Sequence, residues 1–404
     1  MVTLTSATNA LKSVYLGVVS EQLNTNANPL FAKIKQTNKD VYGKEIIKAA
    51  PYGINGGIGA GTEDGQLPNA QGHQFLKFTA TLKNLYGSIE ISDKAVRASQ
   101  NNAGAFVNLL NDEMESLIRS SSYNLGRMLY GDSTGKIATC VSVDESSNEP
   151  IFDSVRNFIE GMIVDVYGEN GVKIDALAGI KVDFVDRATK MVVFNKTTAT
   201  MIPAGATVYV AGSKDLEITG LGKIFSKADA DKVLYGVDRS VYPWLYPYIN
   251  DNSGVDAEIS DDMIQTAINS LEEQSGSEVD FIACSGSVRR AYQQYLSLFR
   301  RNVDVMNLQG GQKAISFNGI PVVYDRFVAE GEMYLLNTKD FALHQLCDWE
   351  WLEGEGGKVI KQVEGRPVYS ATLVKYAELV CDKPNGQAKI SHIANTVANP
   401  FTTI

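Results

Sequence analysis

The sequence predicts an α+β fold that carries one β-rich insertion. Two alternating strand patterns flank a glycine-rich loop between residues 44 and 84, which predicts a long hairpin. A single apolar stripe from Ala103 to Tyr130 predicts one long helix. From Asp256 onward, helical and strand patterns alternate. This mixture of separate strand and helix regions is typical of the α+β class.

The composition indicates a globular chain with a substantial core. Its 404 residues are 44% apolar and 21% charged, too apolar for a disordered protein. The net charge of −10 argues against broad attraction to nucleic acids or membranes, which requires a basic face. The four cysteines form no CxxC pair and the three histidines lie far apart, which favours neither a disulfide framework nor a zinc site. We therefore expect no metal and no cofactor, and a reducing, aqueous compartment.

The first 43 residues have the character of an arm. Residues 7–23 form a weakly amphipathic helical pattern, and the polar run that ends at Pro29 interrupts it. Neither piece has enough apolar surface to build a core of its own, so we expect this arm to be ordered by contact with other surfaces.

The hairpin itself is predicted from period-2 alternation. The segment KEIIKAA, residues 44–50, is one strand, and the segment after His73 is the other, with apolar residues at Leu76, Phe78, Ala80 and Leu82. The apolar parity changes after Lys83, which predicts a bulge or a bend there. Between the strands, residues 51–73 include seven glycines.

The glycine-rich loop lacks the residues of a phosphate site. The spacing from Gly56 to Gly61 matches a P-loop, but Thr62 and Glu63 stand where Lys and Ser or Thr are required. The dinucleotide pattern fails at Asp64, and two acidic side chains would repel a phosphate. The motif requirement therefore excludes a nucleotide site.

The long helix is predicted from one face at spacings of three and four residues. A short helix capped by Ser92 precedes it. At 1.5 Å per residue its length is about 40 Å, so it must lie across a large neighbouring surface. The residues of this face are Phe106, Leu110, Met114, Leu117, Ser121, Leu125 and Met128.

The remaining chain divides into three regions. Residues 136–255 are rich in Val, Ile, Thr and turn residues, which predicts a compact β insertion. Residues 256–350 form the alternating α/β unit, with a helix between the N-cap Ser260 and Gly276. Residues 351–404 contribute closing strands. The aromatic residues Tyr242, Trp244, Tyr246 and Tyr248 indicate a packing or contact surface.

One segment resembles a nucleophile site. Around Cys284 and Ser285, a strand, a tight turn and a helix follow one another, which is the setting of a nucleophile elbow, with His344 or His392 as a base. The competing interpretation is that Cys284 is a small buried residue and Ser285 or Ser287 caps the helix. The pair Glu353 and Glu355 lies in a glycine-rich polar loop, so no catalytic set is assembled.

The order of the elements and several local segments resemble the major capsid proteins of tailed bacteriophages, which have the HK97-type fold. The segments are GGIGAGTEDGQLPNAQGH, FTATLKNLYGSIEISDKAVRAS, LLNDEMESLIRSSSYNLGRMLYGD, ITGLGKIF, LYGVDRSVYPWLYPYI, DFIACSGSVRRAYQQYL and FNGIPVVYDRF. The resemblance covers nearly the whole chain, and its specificity lies in the order of these segments.

The resemblance implies a structural, non-enzymatic shell protein and a domain plan. Residues 1–43 would be the N-terminal arm, 44–84 the extended loop, and 85–135 the peripheral domain with a spine helix at 103–130. Residues 136–255 would be the insertion, 256–350 the axial domain, and 351–404 the return to the peripheral domain. The tip residues expected to contact a neighbouring subunit are Gly56, Gly57, Gly59, Gly61, Glu63, Asp64, Leu67 and Pro68.

The same resemblance implies partners and a location. The chain would assemble with itself into hexamers and pentamers of a virion shell in the host cytoplasm. It would enclose double-stranded DNA contacted non-specifically, with a portal and sometimes a decoration protein, and with no membrane. Since no long charged helical segment precedes the arm, we expect a separate scaffolding protein or a cleaved segment. A covalent Lys–Asn cross-link could use Lys48 or Lys77.

Three other functions compete with this interpretation. An encapsulin-like compartment would keep the fold and hold cargo enzymes instead of DNA. An α/β hydrolase-like enzyme would use Cys284 or Ser285. A tail or adhesion protein would show fibrous repeats, and the sequence has none at a fixed period.

Overall fold

A computed structural model describes most of the chain. The side chains of residues 51, 103–112, 299, 305–307 and 313–314 are not described, so Phe106 and Leu110 of the predicted helix face lie outside the described part. Residues 7–23 of the arm, His73, Glu355 and the tip residues Gly56, Leu67 and Pro68 also lie outside it. The described residues are 28–53, 57–66, 69, 72, 74–94, 103–144, 149–195, 202–299, 305–307, 313–354 and 357–398.

The described helices are α1 (Ala103–Tyr130), α2 (Leu221–Ile224), α3 (Asp261–Ser275) and α4 (Gly286–Phe299). The described strands are, in chain order, β1 (Lys35–Thr37), β2 (Val41–Tyr42), β3 (Glu45–Tyr52), β4 (Gln74–Thr81), β5 (Lys83–Ser92), β6 (Lys136–Val143), β7 (Pro150–Phe152), β8 (Ile163–Tyr167), β9 (Ile180–Asp186), β10 (Met191–Phe194), β11 (Thr207–Val210), β12 (Val233–Leu234), β13 (Val237–Asp238), β14 (Tyr248–Asn250), β15 (Phe281–Cys284), β16 (Val305–Asn307), β17 (Lys313–Phe317), β18 (Ile320–Tyr324), β19 (Met333–Leu336), β20 (Phe341–Trp351), β21 (Lys361–Gln362), β22 (Val368–Cys381) and β23 (Ala388–Ile390).

The predicted hairpin is confirmed. Strands β3 and β4 pair antiparallel in continuous register from Glu45↔Thr81 to Tyr52↔Gln74, and β2 adds a third strand beside β3. We call this three-stranded unit the extended sheet.

The apolar alternation changes after Lys83 because the chain passes from one sheet to another, and not because of a bulge. Strand β4 ends at Thr81 in the extended sheet, whereas β5 pairs with β22 over ten residues in a different sheet. Leu82 is the residue between the two strands, so the chain changes sheets there. The face that points to the core changes with it.

The central sheet has the order β1-β20-β22-β21, with β5 also paired to β22. The closing segment forms the 14-residue strand β22, the longest described strand. Helix α1 is confirmed with the predicted bounds and packs on β5. The contact is close at Gly87, where an added Cβ would lie 2.8 Å from Leu117 Cδ1. The central sheet and α1 thus form one layered body.

The predicted β-rich insertion contains a closed barrel with the order β10-β7-β6-β11-β8-β9. Strands β9 and β10 form an antiparallel hairpin, and β11 pairs antiparallel with β6 and β8. A separate cluster that includes Phe152, Phe158 and Phe194 fills this barrel. The last strand of the barrel ends at Val210, and the buried apolar residues from Ile218 to Leu245 belong to the core cluster of the main body.

Most of the predicted alternating unit, residues 256–350, forms a seven-stranded sheet with the order β14-β23-β19-β15-β18-β17-β16, with helices α3 and α4. Strands β14 and β23 join this sheet from outside those bounds, and β20 belongs to the central sheet. Its helix signals are confirmed. The Ser260 hydroxyl accepts from Met263 N at 3.1 Å, and Gly276 ends α3 at a φ of 60°. Its core cluster is distinct from those of the main body and the barrel.

Candidate assembly surface

One face of the extended sheet is packed onto the main body. Directly opposed residues of antiparallel strands share a face, so Ile46, Leu76 and Phe78 lie together. All three are buried, and the Phe78 ring lies 5.8 Å from the Tyr235 ring. This face supplies the burial that holds the base of the hairpin.

The opposite face of the extended sheet, which we call the outer face, carries both apolar and polar side chains. By the pairings Tyr42↔Glu45, Ile47↔Thr79, Ala49↔Lys77 and Pro51↔Phe75, it includes Tyr42, Ile47, Ala49 and Phe75 beside Glu45, Lys77 and Thr79. Tyr42 is 65% exposed and Phe75 is 60% exposed. Large aromatic side chains left exposed among polar ones are typical of a surface that another molecule contacts.

The tip of the hairpin is exposed. Ile58 is 82% exposed, and Gly59, Gly61, Glu63 and Asp64 are exposed as well, whereas Gly57 is half-buried. A tight turn closes the tip, with Gly65 N donating to Thr62 O at 3.1 Å. An added Cβ on Gly65 would lie 2.5 Å from Thr62 Oγ1, so a larger residue there would require the exposed Thr62 side chain to rotate away. The structure thus places five of the predicted tip residues at the far end of the hairpin, and their contact with a neighbour stays a prediction.

A small hairpin, β12–β13, clamps the extended sheet to the central sheet. Thr79 N donates to Tyr235 O at 2.8 Å, and the Tyr235 hydroxyl donates to Leu379 O at 3.1 Å. The phenol oxygen of Tyr235 also accepts a hydrogen bond from Cys381 N at 3.1 Å. Burial raises the pKa of the Tyr235 phenol well above its usual range, so it stays protonated.

A buried arginine supports this clamp from below. The Arg239 guanidinium donates to the carbonyls of Ile224 at 2.7 Å and Asp231 at 2.6 Å, and it stacks 4.5 Å from the Tyr246 ring. Burial lowers the pKa of Arg239, and the carbonyl dipoles satisfy its charge. The sequence gives no sign of this role.

Two residues of the predicted aromatic contact surface, Tyr242 and Trp244, pack against another part of the same chain. Trp244 stacks on Tyr52 of β3 at 5.4 Å, and Tyr242 meets the same ring edge-on at 6.1 Å. These contacts hold the hairpin just before its tip. An ion pair between Lys48 Nζ and Asp382 Oδ2, at 2.5 Å, adds a second attachment.

The described part of the arm is attached by an unusual buried lysine. Strand β1 adds to β20 in parallel, and Lys375 Nζ donates to Gln36 Oε1 at 2.9 Å and to Asp348 Oδ1 at 2.8 Å. Lys375 is fully buried, and burial lowers its pKa. Nδ1 of His344 donates to Lys39 O at 2.8 Å. These bonds set the register of the arm.

The apolar residues of the predicted core face of α1 are buried wherever their side chains are described, and Ser121 on the same face is half-buried. Met114, Leu117, Leu125 and Met128 all belong to the main core cluster. Two further features were not signalled by the sequence. An added Cβ on Gly126 would lie 2.4 Å from the Phe327 ring, and Arg127 forms a fully buried ion pair with Glu217.

Cys284 and Ser285, the nucleophile candidates, have structural positions. Cys284 is fully buried, and burial raises the pKa of its thiol to about 12, so the thiolate needed for attack does not form near neutral pH. Ser285 Oγ accepts from Val288 N at 3.4 Å, as a helix cap does. The histidines lie elsewhere, His344 at the arm and His392 3.6 Å from Asp256.

Among the described residues, no group of three or more His, Cys, Asp or Glu side chains is arranged to hold a metal ion. Within the same residues, no helix combines the length and apolar character needed to cross a membrane.

No protein-family model and no curated protein matches the sequence. Among solved structures, the chain is similar to the capsid asymmetric unit of cyanophage A-1(L), with 12% identity, a TM-score of 0.53, and coverage of 89% of this chain and 90% of that one. It is also similar to the satellite phage P4 procapsid, at 10% identity, a TM-score of 0.45 and coverage of 94% and 90%. It is similar as well to the holo-SrpI encapsulin complex from Synechococcus elongatus PCC 7942, at 9% identity and a TM-score of 0.44, with coverage of 92% of this chain and 90% of that one.

The cyanophage similarity extends over almost the whole of both chains. This chain therefore has the HK97-like phage capsid fold that its sequence motifs implied.

Proposed function

We propose that this chain is the major capsid protein of a tailed bacteriophage and builds the closed head shell around double-stranded DNA. The observation that carries the proposal is the outer face of the extended sheet, on which the aromatic side chains of Tyr42 and Phe75 are more than half exposed. Covering such aromatic side chains with another copy of the chain removes apolar surface from water and so lowers the free energy of the assembly. The capsid fold supplies the geometry in which many copies do so.

The elements take the roles that the resemblance implies. The extended sheet and its tip, residues 44–84, lie over a neighbouring subunit. Helix α1 is the spine of the peripheral domain, residues 256–350 are the axial domain near the capsomer centre, and the barrel belongs to the insertion. The glycine-rich tip can adopt different backbone shapes, which suits the inequivalent positions of hexamers and pentamers.

The charge of the chain suits an enclosure for DNA. A net charge of −10 leaves packaged DNA weakly held, whereas a basic lining would bind it tightly. We further propose assembly in the host cytoplasm with a separate scaffolding protein and a portal, and with room for a decoration protein. Many modest contacts per subunit add up to a stable shell while each one stays reversible.

Negative-stain electron microscopy of the purified protein, alone and co-expressed with the neighbouring gene products, tests the proposal. We expect closed shells, which contain DNA when they are isolated from infected cells. Uniform small particles that contain enzymes and no DNA would instead identify an encapsulin-like compartment. A protein that stays monomeric under all these conditions would contradict both.

A further inference from the structure

A groove of about 490 Å³ lies between helix α4 and the last described residues of the chain. The exposed side of α4 forms one wall, and Thr396 and Val397 form the other. The volume is in the range of clefts that hold a small ligand, which is also the space that a few side chains of a peptide need. The lining residues of α4 are Arg290, Gln293, Gln294, Ser297 and Leu298.

Leu298 and Val397 give the groove an apolar part. Both side chains are half-buried, and Val397 packs against the core cluster of the seven-stranded sheet. Gln293 and Gln294 are exposed, and the methylene groups of such long side chains extend an apolar surface while their polar ends stay in water. Within the described part of the chain, neither glutamine amide forms a side-chain hydrogen bond, so both can bond to a peptide backbone.

The described part of the chain ends beside this groove. Two hydrogen bonds fix the path just before its end, from Ile393 N to Gly331 O at 3.0 Å and from Ala398 N to Glu258 Oε1 at 3.1 Å. Phe401 follows Ala398 by three residues, and even a fully extended chain places the two within roughly 10 Å. The α4 wall of the groove is about 12 Å long at 1.5 Å per residue. The aromatic ring that follows the described residues is therefore within reach of this wall.

Residues 399–404, NPFTTI, have a composition that suits the groove. They include no charged side chain, and burial of Phe401 and Ile404 removes apolar surface from water. Pro400 fixes its own φ and favours an extended residue before it, which leaves the backbone groups of the segment open to the glutamine amides. The segment that follows α4, residues 300–304, is RRNVD, and its three charged side chains suit an apolar wall less well.

We propose that residues 399–404 fold back into this groove of their own chain, with the ring of Phe401 against Leu298 and Val397. The short reach from Ala398 favours the same copy over a neighbouring one. The contact would cover the exposed side of α4 and tie this helix to the end of the chain. Because it forms within one copy, it does not depend on assembly or on the proposed function.

Disulfide formation within one chain tests the proposal. The test chain carries Gln294→Cys on the groove wall and Thr402→Cys, in a Cys347→Ser background that leaves only buried native cysteines. Ser297→Cys with Thr402→Cys probes a second position on the same wall. The matched control pairs Thr402→Cys with Gln274→Cys, an exposed glutamine in the last turn of α3 that does not line the groove.

Links are identified by mass spectrometry, and a non-reducing denaturing gel separates links within one chain, which keep the mass of one chain, from links between chains. We expect links within one chain from both groove positions at least about tenfold above the control, because docking raises the effective concentration of the tail cysteine. Adding Phe401→Ser should lower these links at least about fivefold, whereas Thr403→Ser should leave them unchanged. Groove links at the control level, links only between chains, or links that Phe401→Ser does not lower would overturn the inference.

Discussion

The phenol oxygen of Tyr235 lies 3.1 Å from the carbonyl oxygen of Leu379, and this bond joins the clamp of the extended sheet to the central strand β22. The same oxygen accepts from Cys381 N, so one hydroxyl serves two backbone groups of a buried strand. The residue adopts a positive φ of 50°, which the turn between β12 and β13 requires. The clamp is therefore set by a side chain far in sequence from both elements that it connects.

Replacing Tyr235 by Phe should weaken this clamp. The substitution keeps the ring contact with Phe78 and leaves Cys381 N without its partner, so we expect a loss of about 1–3 kcal/mol in the free energy of unfolding. Urea denaturation of the unassembled protein measures it. Tyr42→Phe, at an exposed hydroxyl, is the control and should change stability by less than about 0.5 kcal/mol. Equal stability of the Tyr235→Phe variant and the parent chain would show that the bond is dispensable.

The buried pair of Arg127 and Glu217 should behave non-additively. Glu217→Leu leaves a buried guanidinium without its counter-charge, and we expect a loss of about 3–5 kcal/mol. The double variant Arg127→Met, Glu217→Leu removes both charges and should recover most of that loss, because apolar groups tolerate the site. A double-mutant cycle of unfolding free energies measures the coupling. Strict additivity of the two single substitutions would contradict the pairing.

A buried carboxyl group on β22 should make stability depend on pH. Burial raises the pKa of Glu378 from 4.5 to about 7, although Thr219 N and Leu379 N both donate to its carboxyl. The native state then binds more protons than the unfolded state between these two values, so stability falls as pH rises through this window. Below it the contribution is fully present, and above pH 7 it is lost, roughly 3 kcal/mol in all.

The variant Glu378→Gln isolates this effect, because it keeps the accepting oxygen and removes the titration. We expect its unfolding free energy to lose part of the decline between pH 4.5 and pH 7 that the parent chain shows. Parallel curves for the two proteins across that range would refute the assignment.

The segment that leaves the barrel passes α1 so closely that only glycine fits. An added Cβ on Gly220 would lie 2.3 Å from Met128 O and 2.4 Å from Gly131 O. Gly220→Ala should therefore displace the segment and cost about 1–3 kcal/mol or more, measured as a lower melting temperature. Gly72→Ala, with open space around it, is the matched control. Identical melting temperatures for all three proteins would contradict the close contact.

The sequence predicted the elements that depend on local pattern. The alternation at Leu76 and Phe78 predicted the hairpin, and the stripe through Leu117 and Leu125 predicted α1 with its bounds. Ser260 and Gly276 marked the ends of α3 because caps are local chemistry. The family resemblance was carried by the order of these elements, and the fold bears it out.

The rest depends on contacts between distant residues, which one sequence does not encode visibly. The sequence pattern does not distinguish the change of sheet at Leu82 from a bend, because a bend and a change of sheet both reverse which alternate residues face the core. Arg127 and Glu217 are 90 residues apart, and either one alone has the pattern of a surface charge. The outer face was missed for a related reason. Phe75 stands in a run that alternates correctly for one buried face, and only the register with β2 and β3 places its ring on the same outer face as Tyr42.

Sedimentation velocity of a variant with Tyr42→Ser and Phe75→Ser tests the central claim most directly, that the outer face is covered by another copy. Both side chains are more than half exposed in one copy, so the unassembled variant should stay within about 1 kcal/mol of the parent chain in stability. Val172→Ser, at a 62% exposed site on the barrel, is the control. We predict that the parent and control proteins sediment as large particles while the double variant sediments as a folded small species. Particles formed by the double variant at the same concentration as by the parent would contradict the account.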